Sequence, residues 1–369
     1  MNKHILVTGG AGFIGSHTVD ALIKKGHKVR LLDSLAKPVH LYGKPNYLNK
    51  EAEFILGDVR NRSSWEKSLK GIDIVFHLAA YQDYLPDFSK YFEINAKGTA
   101  LLYEIVVKKK LPITKIIVAS SQSVYGEGHY KCENGHRVFP EQRSIEDMKK
   151  KIWDFICPHD SHKLSPQWTT EEDLTTPHNS YGISKYTQEK IALNLGKRYK
   201  IPTVALRYSI VQGPRQSPFN LYSGALRIFV THLLAGQPPI IFEDGQQIRD
   251  YINIYDVIAA NLLVLENKKA DYQIFNVGGG RKWTVADFYK TAEKALGTKI
   301  KPDTSSLFRV GDTRHIFSSI NRIKSLGFRP QHSIEESIKS YAEWVKTLPN
   351  FKKMIKASQK TLFTQEIIR

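Results

Sequence analysis

The chain has 369 residues, 41 % of them hydrophobic and 11 % aromatic, and no apolar run approaches the roughly 18 residues needed to span a bilayer, which excludes a disordered chain and a membrane-spanning helix. The net charge of +18 suits an anionic partner, but the lysines and arginines are scattered, with no basic block or nucleic-acid module, so nucleic-acid binding is not expected. Two cysteines give no disulfide framework and MNKHILVTGG enters a strand at once rather than reading as an export signal, so a cytoplasmic protein is expected.

Residues 4–33, HILVTGGAGFIGSHTVDALIKKGHKVRLLD, read as strand, Gly-rich turn, amphipathic helix and second strand. Gly9 permits the tight turn, Gly12 lets backbone N–H groups approach a pyrophosphate, and Gly15 lets helix and strand pack closely. Phe13 and Ile14 lie within that turn. Asp33 closes the second strand, where a carboxylate accepts hydrogen bonds from an adenine ribose and repels a 2′-phosphate, which favours NAD over NADP.

Further apolar runs follow as EFILGDV, DIVFHLAA, KIIVAS and TVALRYS, with helical patterns between them. That alternation predicts an α/β fold, a doubly wound parallel (Rossmann) sheet whose ligands sit at the carboxyl ends of the strands. Asp58 and Val59 end the third strand, and Leu78, Ala79 and Ala80 end the fourth, where a cofactor would pass. The next segment, YQDYLPDFSKY, offers Gln82, Asp83 and Tyr84 to a ligand but reads more simply as a solvated loop.

The fifth strand ends at Ser121, and YGISK downstream places Tyr181 and Lys185 four apart, on one helical face. A phenol is a poor base at pH 7. An ammonium and a cationic cofactor beside it lower its pKa and make Tyr181 a usable acid/base, with the Ser121 hydroxyl bonded to the same substrate oxygen.

Ser121 and Tyr181 are 60 positions apart, so residues 128–172 are expected to form an added segment beside the site, and a loop that long is functional or internally braced. It holds Cys132, His136, Cys157, His159 and His162. Cys132 and His136 with Cys157 and His159 offer four ligands for a structural zinc, although the spacing is not a standard one; two free thiols with exposed histidines are the alternative.

After about residue 210 Gly and Pro become frequent, suggesting a loop-rich, smaller α/β region that covers the strand ends and binds substrate. The expected organisation is residues 1–208 as the cofactor-binding part with the insert, 209–345 as the substrate-binding part with some segments returning to the sheet, and 346–369 as a basic helical tail.

Taken together, TGGAGFIG, GDV, HLAA, Asn95-x-x-Gly-Thr, SSQSVYG, YGISK, LRY, GPRQ, EDGQQIRDY and RVGD resemble, in order and over nearly the whole chain, the extended short-chain dehydrogenase/reductases of the nucleotide-sugar epimerase/dehydratase family. The resemblance implies catalytic Ser121, Tyr181 and Lys185. It implies cofactor contacts from Gly9, Gly12, Phe13, Ile14, Gly15, Asp33, Asp58, Val59, Leu78, Ala79, Ala80, Asn95 and Tyr208. Asn220, Arg249, Arg309 and Asp312 would hold a nucleoside diphosphate, and Gln122 and Ser123 would face the sugar. Dehydratases and decarboxylases of the family carry a carboxylate in the segment where Gln122 and Ser123 stand. That favours NAD-dependent epimerisation of a nucleoside-diphosphate sugar, at C4, with an NAD(P)H-dependent nucleotide-sugar reductase, a sugar 4,6-dehydratase and a dinucleotide-sensing protein as alternatives.

This chain reads RYSIVQGPR, with Ile210 and Gln212 where many relatives have Asn and an aromatic, which points to an unusual hexose. The insert is similar to one in rhamnose 4-epimerase-like members, with CPHD where those have CPxC. A homodimer is implied through the helix after Asn95 and the helix at Tyr181; apolar Leu101, Leu102, Ile105 and Val106 on the first form a stripe whose burial would be either at that interface or within the chain.

Overall fold

A computed structural model describes residues 2–220 and 224–348. The expected start is present: β1 (His4–Thr8) leads through α1 (Phe13–Lys24) to β2 (Lys28–Asp33). β3 (Glu53–Leu56), α2 (Arg62–Ser68) and β4 (Ile74–His77) follow. The short α3 (Phe88–Tyr91) passes through a π-helical turn into α4 (Gly98–Lys108), and β5 (Lys115–Ser121) comes next.

The insert supplies β6 (Tyr130–Lys131), β7 (Arg137–Val138), α5 (Ile145–Lys149) and β8 (Ser165–Pro166), its three strands forming a small antiparallel sheet with β6 in the middle. Then come α6 (Ser180–Arg198), β9 (Thr203–Tyr208), β10 (Ile210–Gln212), α7 (Gly224–Leu234), β11 (Ile248–Arg249), β12 (Tyr251–Asn253) and α8 (Ile254–Glu266). β13 (Ile274–Val277), β14 (Trp283–Thr284), α9 (Val285–Leu296), β15 (His315–Ile316), α10 (Asn321–Ser325) and α11 (Ile334–Lys346) complete the described residues. The tail expected over 346–369 lies, beyond residue 348, outside them.

Seven parallel strands in the order β13-β9-β5-β4-β1-β2-β3 form the main sheet. Successive side chains alternate between its two faces. Ile5, Val7, Leu31, Phe76, Ile117 and Leu206 pack on one side with α1 and α8, whereas Leu6, Leu32, Val75, Ile116 and Val118 pack on the other with α4. Covered on both faces, the strands need continuous apolar runs, which is why they were readable. β10 to β12 and helices α7, α9 and α11 carry a third cluster around Phe229, Phe288 and Tyr341.

Of the two readings of the α4 stripe, burial within the chain is the one found: it belongs to this core. Leu102, Ile105 and Val106 of α4 are buried and Leu101 is partly buried against the same intramolecular cluster, because α4 must cover the sheet face with its most apolar side.

A charged network lies inside, beneath the strand ends. Arg207 of β9 donates two hydrogen bonds to Glu189 of α6, Nε to Oε2 at 2.9 Å and Nη2 to Oε1 at 2.6 Å, and Ser120 Oγ donates to Glu189 Oε2 at 2.8 Å. Tyr125 accepts from Arg207 Nη1 at 2.7 Å and donates to Asn276 Oδ1 at 2.7 Å. All these groups are buried. A buried pair is tolerable when its remaining donors and acceptors are met, and here that network locks β5, α6, β9 and β13 beneath the strand ends.

Candidate active site

A cavity of about 860 Å³ opens along the carboxyl ends of β1, β2, β4, β5 and β9 and extends to the arginines of the C-terminal half. At one end is the glycine turn. Gly9 adopts φ +66°, and a Cβ on Gly15 would fall 2.0 Å from the Gly9 carbonyl oxygen. The Gly12 N-cap makes no side-chain cap bond and α1 has no acidic residue in its first turn, so its leading N–H groups face the cavity end available to a phosphate. The Asp33 carboxylate is fixed by Ala11 N at 3.0 Å and Leu35 N at 2.8 Å and keeps lone pairs for further donors. Val59, Phe13, Ile14, Leu78, Ala79, Ala80 and Tyr208 also line this end, as does Asp58, whose carboxylate is held by Arg60 at 2.8 Å. These residues fit a dinucleotide.

Asn95 departs from that set. It is buried outside the cavity lining, its Oδ1 accepting from Tyr81 N at 2.8 Å and its Nδ2 donating to Tyr81 O at 3.1 Å and Ser184 Oγ at 2.9 Å. Its short amide is spent on the extended chain after β4, so it positions the wall and does not touch the cofactor space.

In the middle, Ser121 ends β5 and caps the 3-10 turn over Gln122–Tyr125, accepting from Ser123 N at 3.1 Å and Ser123 Oγ at 2.9 Å. Asn179 caps α6 by accepting from Gly182 N at 2.8 Å, which places Tyr181 on the first turn and Lys185 one turn on. Tyr181 hydrogen-bonds Ser121. Burial pushes the Tyr181 phenol up to about 12, and the Ser121 bond acts against it. Lys185 is buried and bonds Gln188 Oε1, and burial pushes its ammonium down to about 7. Gln122 and Ser123 line the cavity, and Gln122 Oε1 is buried without a partner.

At the far end Arg249 donates to the carbonyls of Thr313 at 2.7 Å and Arg314 at 2.9 Å, and to Asp312 Oδ1 at 3.4 Å. Arg309 stacks 4.2 Å over Phe242 and its Nε is buried without a partner, a donor suited to an anion. Asn220 lies here too, donating to Gln82 O at 3.2 Å.

Sequence reasoning missed part of this wall. Residues 81–85 line the cavity instead of forming a solvated loop, because the backbone of Tyr81 is tied to Asn95 and the Tyr84 hydroxyl accepts from Arg309 Nη1 at 3.3 Å. Glu127 lines it as well, and burial pushes its carboxyl up to about 7. The insert reaches the same wall through Arg143, paired with Glu243 at 2.8 and 2.9 Å and donating to Asp312 O at 2.9 Å. The EGH following VYG and the arginine after PEQ carried no spacing signal.

The insert also corrects the expected metal set. Cys132, His136, Cys157 and Asp160, not His159, bring ligand atoms together within 4.8 Å. His159 is exposed and lies edge-near His136, ring centroids 4.9 Å apart, because the turn after Cys157 directs the Asp160 side chain inward.

A parallel dinucleotide-binding sheet with Ser121, Tyr181 and Lys185 at its strand ends defines the extended short-chain dehydrogenase/reductase class. More narrowly, the chain belongs to the NAD dependent epimerase/dehydratase family, whose model matches residues 5–144 and 158–278. It is 30 % identical over 356 residues to a dTDP-L-rhamnose 4-epimerase of Burkholderia thailandensis (93 % of this chain, 95 % of that protein). It is 33 % identical over 348 residues to a putative UDP-glucose 4-epimerase of Methanocaldococcus jannaschii (93 % and 98 %). Among solved structures it resembles UDP-glucuronic acid 4-epimerase of Bacillus cereus in complex with UDP-glucuronic acid and NAD, with a TM-score of 0.76 and 28 % identity over 94 % of this chain and 100 % of that one.

Proposed function

We propose that the protein interconverts the C4 epimers of a nucleoside-diphosphate sugar, using NAD held in the glycine-lined end of the cavity. The observation that carries this reading is the placement of Ser121 and Tyr181 midway between the dinucleotide cradle and the Arg249–Arg309 end. The names of the relatives agree with it. NAD, when bound, accepts the C4 hydride and returns it. Asp33 bonds the ribose and disfavours a 2′-phosphate.

Tyr181 exchanges a proton with the sugar O4, and Ser121 holds that oxygen and shares the proton. Burial pushes the Tyr181 phenol up to about 12, and a positive charge beside it would favour the phenolate and let it act as a base. Lys185, one turn further along α6 and with its ammonium pushed down to about 7 by burial, lines the same cavity as Tyr181. Arg309 and Arg249 anchor the diphosphate, offsetting the desolvation of its charge. Gln122 and Ser123 carry no carboxyl to protonate a leaving hydroxyl, so the 4-keto sugar turns over in the pocket and is reduced on its other face. Ile210, which lines the cavity, gives that pocket an apolar contact suited to a deoxygenated hexose.

Homodimerisation and a cytoplasmic location belong to the same reading. With the α4 stripe buried, a dimer would use exposed Phe92 and Ile183 near the α4–α6 edge, and sedimentation velocity of the full chain tests it. Two neighbouring free cysteines suit a reducing compartment.

The functional test is incubation with a panel of nucleoside-diphosphate sugars, without reductant, followed by isomer-resolving chromatography and mass spectrometry. A new isomer of unchanged mass is expected. Loss of water or carbon dioxide would overturn the reading, and a gain of two hydrogens only on addition of NAD(P)H would replace it with a reductase.

A further inference from the structure

The insert does not have the core to hold itself together. Its own cluster consists of Tyr130, Cys132, Cys157 and Leu164, with Val138 and Phe155 partly buried against it, and its strands are two residues long. Segments with so little apolar burial are ordinarily stapled by a disulfide or a metal. The cysteines are not bonded to each other.

Two tight turns bring four donors to one point. On the first, Gly135 N bonds Cys132 O at 3.0 Å and Cys132 N bonds His136 O at 3.1 Å, folding a Cys-x-x-x-His pair. On the second, Ser161 N bonds Cys157 O at 3.0 Å and Cys157 N bonds His162 O at 2.8 Å, folding Cys-x-x-Asp. The backbone N–H groups of His159 and Asp160 both hydrogen-bond Cys157 Sγ, which fixes where the sulfur points. Cys132 Sγ lies 3.3 Å from His136 Nδ1 and 3.3 Å from Asp160 Oδ2. His136 Nδ1 lies 3.4 Å from Asp160 Oδ2 and 3.8 Å from Cys157 Sγ. Sulfur, nitrogen and oxygen at tetrahedral zinc distances are separated by about 3.3–3.8 Å. Asn134 Nδ2 donates to Asp160 Oδ2 at 2.9 Å and His162 N to Asp160 Oδ1 at 3.1 Å, fixing the carboxylate as outer partners of a ligand do.

We propose that Cys132, His136, Cys157 and Asp160 bind one divalent ion of the zinc class, closing the two turns of the insert into a structural clasp. All four positions are protein ligands, so no site is left open for a reacting molecule. The sulfur pair selects against magnesium and calcium. The clasp sits apart from the sugar pocket but bears on it. Asp154, three residues before Cys157, accepts from Arg314 Nε at 2.8 Å, and the carbonyl of Arg314 receives Arg249.

Metal analysis of the full chain, purified without chelator from zinc-supplemented medium, is expected to find one zinc per chain. His136→Ala and Asp160→Ala should lose it and His159→Ala should keep it; the reverse pattern for Asp160 and His159 would overturn the ligand assignment. Should the variants fail to fold, cobalt exchanged into the wild-type chain should give a thiolate charge-transfer band and the intense visible bands of a tetrahedral ion. Absence of those bands, or thiols that react at the same rate with and without zinc, would overturn the site. Removing the ion should raise hydrogen exchange across residues 128–172 while β5 and β9 stay protected, and unchanged protection of the insert would overturn the clasp.

Discussion

Every residue of β5 and β9 is buried, whereas the insert that leaves β5 and returns at α6 buries a four-residue cluster and otherwise rests on ion pairs such as Arg143–Glu243 and Arg314–Asp154. Both regions wall the same cavity. Non-directional burial makes the strand ends a rigid bench for Ser121 and Tyr181. The insert depends on directional contacts, each of which works only if its geometry is held. A site can therefore be chemically fixed on one side and adjustable on the other.

Five substitutions, one of them read through a pH titration, test this contrast. Tyr181→Phe should lower kcat by about 10²–10⁴-fold with little change in melting temperature, because the hydroxyl serves chemistry and the ring still fills its place; steady-state rates beside a thermal melt check both. Leu206→Ala, in the sheet core, should destabilise the whole fold by about 2–5 kcal/mol in urea unfolding, through lost burial and a cavity. Arg249→Met should raise KM by about 10–100-fold with a smaller effect on kcat, since a charge-assisted bond to a diphosphate carries about 1.5–3 kcal/mol.

Lys185 tests the sheet side by pH. Its folded pKa is near 7, below the unfolded lysine value, so from pH 7 to about 10 the unfolded chain binds a proton that the folded chain does not. Stability should rise with pH across that window by at most about 1.4 kcal/mol per unit from this group, and Lys185→Met should flatten the rise in urea melts at pH 7, 8 and 9. Smallest of all, Lys163→Ala removes an exposed partner of Asp154 in the insert and should cost about 0.2–1 kcal/mol, less at high salt. A global loss from Lys163→Ala as large as that from Leu206→Ala would erase the distinction between the two regions.

The same distinction explains what was legible in the sequence. Gly9, Gly12, Gly15, Asp33, Ser121 and Tyr181, which line the cavity, were legible because a fixed local geometry calls for those residue types at those spacings, whereas Arg309 came from the family resemblance. Asn95 was placed against the cofactor, but its amide is committed to the Tyr81 backbone, which spacing does not reveal. His159 was chosen over Asp160 because ligand type was read without knowing which way the turn after Cys157 faces. Tyr84 looked like part of a solvated loop, since nothing local announces its contact with Arg309, 225 positions away. Nothing local in the sequence marks Glu189 and Arg207 as partners, and only their meeting in the interior gives them a role.

Lys185 and Glu189 are one turn apart on α6, the first in the cavity wall and the second bonded to Arg207 and Ser120. An added residue between them would rotate the remainder of the helix by about 100°, so a frame that suits one would misplace the other. Evolution can thus substitute side chains along this stretch but cannot change its length. Between Ser121 and Tyr181 the reverse holds, since each is seated by its own element and the chain between them is free to grow. The interval on α6 is thus fixed by geometry, whereas turns can be added to or taken from the insert without moving the groups that do the chemistry.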